Sequence, residues 1–169
     1  MSTATPTNDA LHFKTHVMYA QRYSASQMEV TYGNHAIYRS VFPGSRPEVI
    51  REKTPADERR DQAGNGQIGL VAFEGPLQVK WRSLDGEPHE AVLNLEEIFK
   101  DRVVPHHEDP ARIDPTLPMG IAGPTIVVEV NDRTLSIYMD VHIYLRAIDP
   151  AVLTREDRRN RTLAYSKTF

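Results

Sequence analysis

The chain of 169 residues carries a formal net charge of −3, so it can bury one hydrophobic core and lacks a global positive field that would attract nucleic acid. It contains no cysteine, which excludes disulfides, thiolate metal sites, cysteine nucleophiles and lipid attachment at a cysteine. Residues 1–10 are polar and lack the basic and apolar pattern of a signal peptide, so we expect a flexible tail, no membrane insertion and a cytoplasmic protein.

In the first part of the chain, tight turns separate short strands. Apolar residues alternate with polar ones over 11–20, which predicts a first strand. The runs 27–32 and 35–42 flank Gly33 and Asn34, a pair that favours a two-residue hairpin turn. We therefore expect three strands here.

A long charged loop follows at 43–67. Its prolines, glycines and nearly balanced charges are typical of a solvated loop, although long ordered loops also carry binding sites. One helical turn is expected at 55–62, with Thr54 as its cap. If this loop binds a partner, its adjacent cations Arg59 and Arg60 are the expected contacts.

The middle of the chain predicts further hairpins. Strands are expected at 68–73, 77–84 and 90–95. Asp85 and Gly86 form the turn between the last two of them. One helical turn is expected at 95–101, capped by Asn94.

The second long loop, 103–124, holds the densest group of potential metal ligands. His106, His107 and Asp109 offer the imidazole and carboxylate groups that suit zinc or manganese. Adjacent residues seldom both point at one ion, however, and a proline-rich surface loop needs polar side chains in any case. We therefore predict a solvated loop without a metal or cofactor, and we keep the two histidines as candidate contacts to a partner.

The most regular pattern lies at 134–146. Six apolar residues alternate with polar ones without a break, which predicts a long strand with one buried face. The polar row includes Tyr138, Asp140, His142 and Tyr144. We expect this row to bind a partner, unless a second sheet or the long loops cover it. Asp140 and His142 would also suit an acid–base pair, but both are ordinary on a polar strand face.

The end of the chain completes the fold prediction. A short helix is expected at 149–161 and a last strand at 162–169. The arginines at 155–161 are diluted by acidic residues and lack interleaved aromatics, so they do not predict nucleic-acid binding. About eight or nine strands joined mostly by hairpins predict an all-β fold, an antiparallel, immunoglobulin-like β-sandwich. It would form one domain over 11–169, with two long loops and one or two short helices.

Residues 97–104 read Glu-Ile-Phe-Lys-Asp-Arg-Val-Val, and within 130–139 Val-Asn-Asp-Arg-Thr leads into Ser-Ile-Tyr-Met. This spelling resembles small proteins of unassigned biochemistry that are encoded beside secreted effectors in bacterial type VI secretion gene clusters. The resemblance covers roughly the C-terminal half and implies an immunity protein, or an accessory protein that escorts an effector. It carries over no catalytic or binding residue. Because the lipid-attachment cysteine of periplasmic immunity lipoproteins is absent, it favours a cytosolic target or an accessory role.

These features predict a non-enzymatic protein-binding module, an immunity or accessory protein that binds a secreted bacterial toxin or effector and occludes it. The expected contacts are Tyr138, Asp140, His142, Tyr144, Arg59, Arg60, His106 and His107. Two alternatives stay open. One is a self-assembling structural component of a secretion or phage-like apparatus, a homo-oligomer built by sheet-edge pairing. The other is a small metal-dependent hydrolase that uses His106, His107 or His142.

Overall fold

The computed structural model describes residues 11–59 and 66–169. These residues form nine strands and two short helices. The strands are β1 Thr15–Tyr23, β2 Ala25–Tyr32, β3 His35–Arg39, β4 Gln67–Val71, β5 Leu77–Ser83, β6 Pro88–Leu93, β7 Thr125–Asn131, β8 Thr134–Leu145 and β9 Glu156–Thr168, and the helices are α1 Pro55–Arg59 and α2 Leu95–Ile98. In this part of the chain, no helix has the length and apolar character needed to cross a bilayer. The predicted tail at 1–10 and Arg60 lie outside the described residues.

The described strands form two sheets. One sheet holds five strands in the order β4-β1-β7-β8-β9, and the other holds four in the order β3-β2-β5-β6. Paired strands run antiparallel except for β1 and β7, which run parallel. Ser24, with a φ of 48°, separates β1 from β2, so the chain passes from one sheet to the other at a single corner. The prediction of an all-β, sandwich-like fold is confirmed.

Tight turns join the strands, and those at Gly33 and Gly86 lie where the sequence predicts them. Gly33 has a φ of 54° between β2 and β3, and Gly86 has a φ of 86° between β5 and β6. Asp132, with a φ of 52°, turns β7 into β8. The predicted hairpins at Gly33 and Gly86 are therefore confirmed. The side chain of Asn94 accepts a hydrogen bond from the Glu96 N–H at 3.0 Å, so the predicted cap of α2 is confirmed as well.

The hydrophobic core lies between the two sheets. The apolar row of β8 is buried in it and consists of Leu135, Ile137, Met139, Val141, Ile143 and Leu145. The four-stranded sheet contributes Val79 and Trp81 to the same core. The Trp81 indole N–H donates to the Asp132 carbonyl at 2.8 Å, and its ring meets Phe169 edge-on with 5.3 Å between centroids. The predicted buried face of the long strand is confirmed.

The helix predicted at 149–161 is wrong. β9 instead pairs with β8 over its full length, from Leu145 opposite Glu156 to Thr134 opposite Thr168. Pairing with β8 overrides the local helical signal, because charged residues fit either a helix or an exposed strand until the partner strand is known.

The first strand also lies later than predicted, since β1 begins at Thr15 and residues 11–14 precede it. These residues pair with the second loop: the Phe13 N–H donates to the Arg102 carbonyl, and the Val104 N–H donates to the Leu11 carbonyl, both at 3.0 Å. The second loop therefore closes one end of the sandwich.

The second loop also pairs with the last residues of β8. β7 begins with Thr125 opposite Asp140, so the residues of β8 after Asp140 have no partner in β7. The Asp114 N–H donates to the Tyr144 carbonyl, and the Tyr144 N–H donates to the Pro118 carbonyl, both at 2.9 Å. This part of the loop is consequently held against β8, which differs from the solvated loop that its composition predicts.

We expect Trp81→Ala to lower the free energy of unfolding by about 3–5 kcal/mol, because it opens a cavity and leaves the Asp132 carbonyl without its donor. Urea unfolding followed by circular dichroism measures this change. Leu84→Ala is the matched control, since Leu84 is mostly exposed beside the same strand, and it should stay within about 0.5 kcal/mol. A similar loss for both variants would contradict the central position of Trp81.

Candidate functional site

The polar row of β8 lies on the outer face of the five-stranded sheet, away from the core. It is unevenly exposed: Asp140 is 5% exposed, whereas Tyr138, His142 and Tyr144 are half-buried. Other parts of the chain therefore cover Asp140. At this position the polar row is covered, which is the alternative to partner binding raised in the sequence analysis.

A second buried carboxylate lies on the neighbouring strand β7. Glu129, 3% exposed, accepts hydrogen bonds from the Gln21 amide at 2.6 Å and from the Lys53 ammonium at 2.7 Å. The Arg161 guanidinium lies 3.5 Å from the same carboxylate. A carboxylate that has lost its hydration needs such donors, because an unpaired buried charge is strongly destabilising.

Two arginines of β9 pair with Asp140, and one of them, Arg159, donates hydrogen bonds to it. Arg159 donates to both carboxylate oxygens, with its Nε 2.8 Å from Oδ1, and the Arg161 Nη1 lies 3.7 Å from Oδ2. The planar guanidinium matches the two oxygens of a carboxylate in a fixed geometry. The outward-facing arginines of β9 are thus counterions for buried carboxylates.

Residues 51–59, here named the roof segment, lie over the outer face of the sheet. Lys53 extends from this segment to Glu129, and the Arg59 carbonyl accepts a hydrogen bond from the Arg159 Nη1 at 2.8 Å. The roof segment is therefore connected to both β7 and β9.

Arg51 and Asp57 fix the shape of the roof segment. Arg51 donates to the two carboxylate oxygens of Asp57 at 2.7 and 2.8 Å, and its Cζ lies 4.7 Å from the centre of the Tyr23 ring. The Thr54 N–H and hydroxyl also donate to Asp57, at 2.8 and 2.9 Å. The Arg51 guanidinium and the Thr54 N–H hold the pKa of Asp57 well below its ordinary value. Thr54 lies at the start of α1 as predicted, and its side chain donates to Asp57.

Lys53, Arg159, Arg161, Glu129 and Asp140 are together named the ionic cluster. Burial lowers the pKa of the Lys53 amine, but the hydrogen bond to Glu129 and the charge of that carboxylate outweigh it, so the net shift is upward. Lys53 is therefore a cation at neutral pH. Within the cluster three cations pair with two carboxylates, and the arrangement attaches the roof segment to the sheet.

His142 lies on the same strand face as Asp140, closer to the end of β8. Its Nδ1 is 2.8 Å from the Asp157 Oδ1 on β9. Asp140 pairs with arginines and His142 with Asp157, so each of the two residues that would suit an acid–base pair has another partner.

Residues 147–154, here named the hairpin tip, join β8 to β9. Ile148 is 80% exposed and Leu153 is 97% exposed, and about half of Val152 is exposed as well. One short loop therefore exposes three large apolar side chains.

Two ion pairs attach the base of the hairpin tip to the second loop. The Arg112 Nη2 lies 3.0 Å from Glu156, and the Arg155 Nε lies 2.6 Å from Asp114. Hydrogen bonds from the Thr116 hydroxyl and N–H lower the pKa of Asp114 to about 2, so this carboxylate is charged at neutral pH. The exposed apolar side chains consequently stand on an ordered base.

The potential metal ligands of the second loop take part in hydrogen bonds within that loop and to β9. The His107 N–H donates to the Asn160 Oδ1 at 3.0 Å, and the His106 Nδ1 accepts from the Glu108 N–H at 3.1 Å. Asp109 caps the following 3-10 turn by accepting a backbone N–H at 2.9 Å. Across 11–59 and 66–169, no three His, Asp or Glu side chains form a group that could hold a metal ion. The metal-dependent hydrolase stays a prediction without an observed site.

Glu129 and Lys53 are absent from the contacts predicted from sequence. A signal for Glu129 does exist, because one glutamate interrupts the otherwise apolar run 126–130 and a charge in such a strand needs a buried partner. Nothing in the sequence identifies Lys53 as that partner, since it lies 76 positions away in a charged loop.

We expect Glu129→Gln to lower the free energy of unfolding by about 3–5 kcal/mol, because it removes the buried negative charge that pairs with Lys53 and Arg161. The substitution keeps the shape of the side chain. Urea unfolding measures the loss of stability. Glu90→Gln is the control, since its ion pair with Lys80 spans 3.7 Å on an exposed surface and contributes less than about 1 kcal/mol. Equal losses would show that the ionic cluster is no more important than a surface pair.

No protein-family model, curated protein or solved structure matches the chain. The roles of its residues therefore follow from their own contacts and exposure. Contacts and exposure separate an ionic cluster, whose charged groups pair with one another, from a hairpin tip, whose Ile148 and Leu153 are mostly exposed.

Proposed function

We propose that the chain is a non-enzymatic protein-binding module whose partner docks on the hairpin tip. The observation that carries this proposal is the nearly complete exposure of Ile148 and Leu153, at 80% and 97%, on a loop with an ion-paired base. Exposed apolar side chains on an ordered loop favour association, because a partner removes them from water.

The energetics of docking support this placement. Burying an aliphatic side chain of this size contributes about 1.5–3 kcal/mol. Binding normally loses part of this gain to the ordering of loops. Here the pairs Arg112–Glu156 and Arg155–Asp114 already order the base of the tip, so less is lost.

The surroundings of the hairpin tip fit the polar rim of an interface. Tyr144 is half-buried one residue before the end of β8, and tyrosine is frequent at interface centres. His142 follows on the same face, and the second loop, which carries His106 and His107, is paired with this end of β8. Asp140 is one of the partner contacts predicted from sequence, but we do not include it in the proposed interface, because it is buried in the ionic cluster.

The partner that we propose is a secreted bacterial toxin or effector made in the same cell, which this chain would neutralise by occlusion or escort as an accessory protein. The resemblance of 97–104 and 130–139 to proteins encoded beside type VI secretion effectors supports this choice. We further propose a cytoplasmic location and an immunoglobulin-like sandwich. In such sandwiches the loops at one end of the strands are the recognition elements, as proposed here for the hairpin tip.

One observation favours the alternative of self-assembly. β9 is 13 residues long and lies at the edge of its sheet, where a second copy would find unpaired backbone groups. Sedimentation equilibrium over a wide range of concentrations separates the two functions. We expect the mass of one chain throughout, and a mass that rises with concentration would favour assembly.

The proposed function is tested with the secreted protein encoded beside this chain, by isothermal titration calorimetry. We expect Ile148→Asp and Leu153→Asp each to weaken binding by about ten- to thirtyfold, because a charge replaces an apolar contact at the centre of the interface. Both positions are exposed, so the fold should be unaffected.

The matched controls are Leu84→Asp, in the turn between β5 and β6, and Val92→Asp, on β6, which place the same charge on exposed apolar positions. They should bind like the unmodified chain. Binding that is unchanged in the tip variants, or lost equally in the controls, would overturn the placement on the hairpin tip.

A further inference from the structure

His16 is a buried titratable residue at the closed end of the sandwich. It lies on β1 with 1% of its surface exposed. Its ring meets Phe13 and Tyr32 edge-on, with 6.3 and 5.3 Å between centroids. Phe13 in turn packs on Phe73 at 6.0 Å, so the histidine belongs to an aromatic group that joins the two sheets.

The hydrogen bonding of His16 fits a neutral ring. Its Nδ1 lies 3.3 Å from the Val17 carbonyl, which assigns the proton to Nδ1. Its Nε2 is buried and has no hydrogen-bond partner in the described part of the chain. A second proton on Nε2 would place a donor and a full charge among aromatic rings with nothing to accept them.

The neighbouring elements do not supply a counterion. Their titratable and charged groups are Lys14, Tyr32, Glu74, Asp101 and Arg102. Glu74 pairs with the exposed His35 at 3.3 Å, and the Arg102 guanidinium stacks on the Phe73 ring at 5.3 Å. Burial lowers the pKa of His16, and the hydrogen bond to Val17 opposes it in part.

We propose that His16 is an acid-sensitive switch that opens this end of the sandwich when it is protonated. The segment most directly affected is residues 11–13, which carry Phe13 and pair with the second loop through the backbone of Arg102 and Val104. At neutral pH the uncharged ring completes the aromatic group, and in acid the charged ring separates from it. This switch is independent of any partner.

The direction of the pH dependence follows from the two states. In the unfolded chain a histidine titrates near pH 6.5, at about its ordinary pKa. In the folded chain the pKa of His16 lies lower. The neutral His16 ring therefore contributes its full stability to the fold above about pH 6.5, and this contribution is lost as the pH falls below about 6.5.

The test compares the unmodified chain with His16→Leu, which keeps the site apolar and removes the titration. Between pH 7.5 and 5.5 we expect the unfolding equilibrium constant of the unmodified chain to rise more than that of the variant, by up to about tenfold, the limit for one proton taken up on unfolding. His12→Gln, at an exposed histidine on the same segment, is the control and should keep the full dependence. An equal pH dependence in the unmodified chain and in His16→Leu would overturn the proposal.

Local opening is measured separately by hydrogen exchange of the Phe13 and Val104 amides, corrected for the intrinsic effect of pH. We expect both amides to lose protection at pH 5.5 in the unmodified chain and to keep it in His16→Leu. If the leucine variant does not fold, NMR titration of the His16 ring in the unmodified chain decides the question. A ring that takes up its proton at pH 6.5 or above would overturn the proposal.

Discussion

The burial of Glu129 and Asp140 on the outer face of the five-stranded sheet is the constraint on which much of this structure depends. A carboxylate without water needs cationic donors, and they arrive here from two directions. β9 supplies Arg159 and Arg161, and the roof segment supplies Lys53. Satisfying both carboxylates therefore orients β9 and keeps the roof segment against the sheet.

β8 connects this charged face to the rest of the molecule. Its apolar row lies in the core, and its polar row holds Asp140 beside the arginines of β9. Because β8 continues past the end of β7, the second loop pairs with the remaining residues, and β9 returns along the other side. The hairpin tip is the part of the chain that extends beyond these pairings, so the same length of β8 that completes the sheet also presents Ile148 and Leu153 to solvent.

The features that were predictable from sequence are those with a local cause. Strict alternation at 134–146 requires a strand, and Gly33 or Gly86 at positive φ requires a turn. The strand predicted at 162–169 forms the second half of β9, but its first half was not predictable, because the charged residues there pair with Asp140 and Glu129 on other strands. The same holds for the candidate site: exposure of the polar row depends on the roof segment, and no local pattern shows where a loop will lie.

The parallel pairing of β1 with β7 has a consequence for the order in which the protein can be assembled during synthesis. Val17 lies opposite Thr125, so β7, the parallel partner of β1, is synthesised more than a hundred residues later. The four-stranded sheet, in contrast, is complete once Leu93 has been made. One side of β1, joined to that sheet at Ser24, consequently waits as an unpaired strand until most of the chain has been translated.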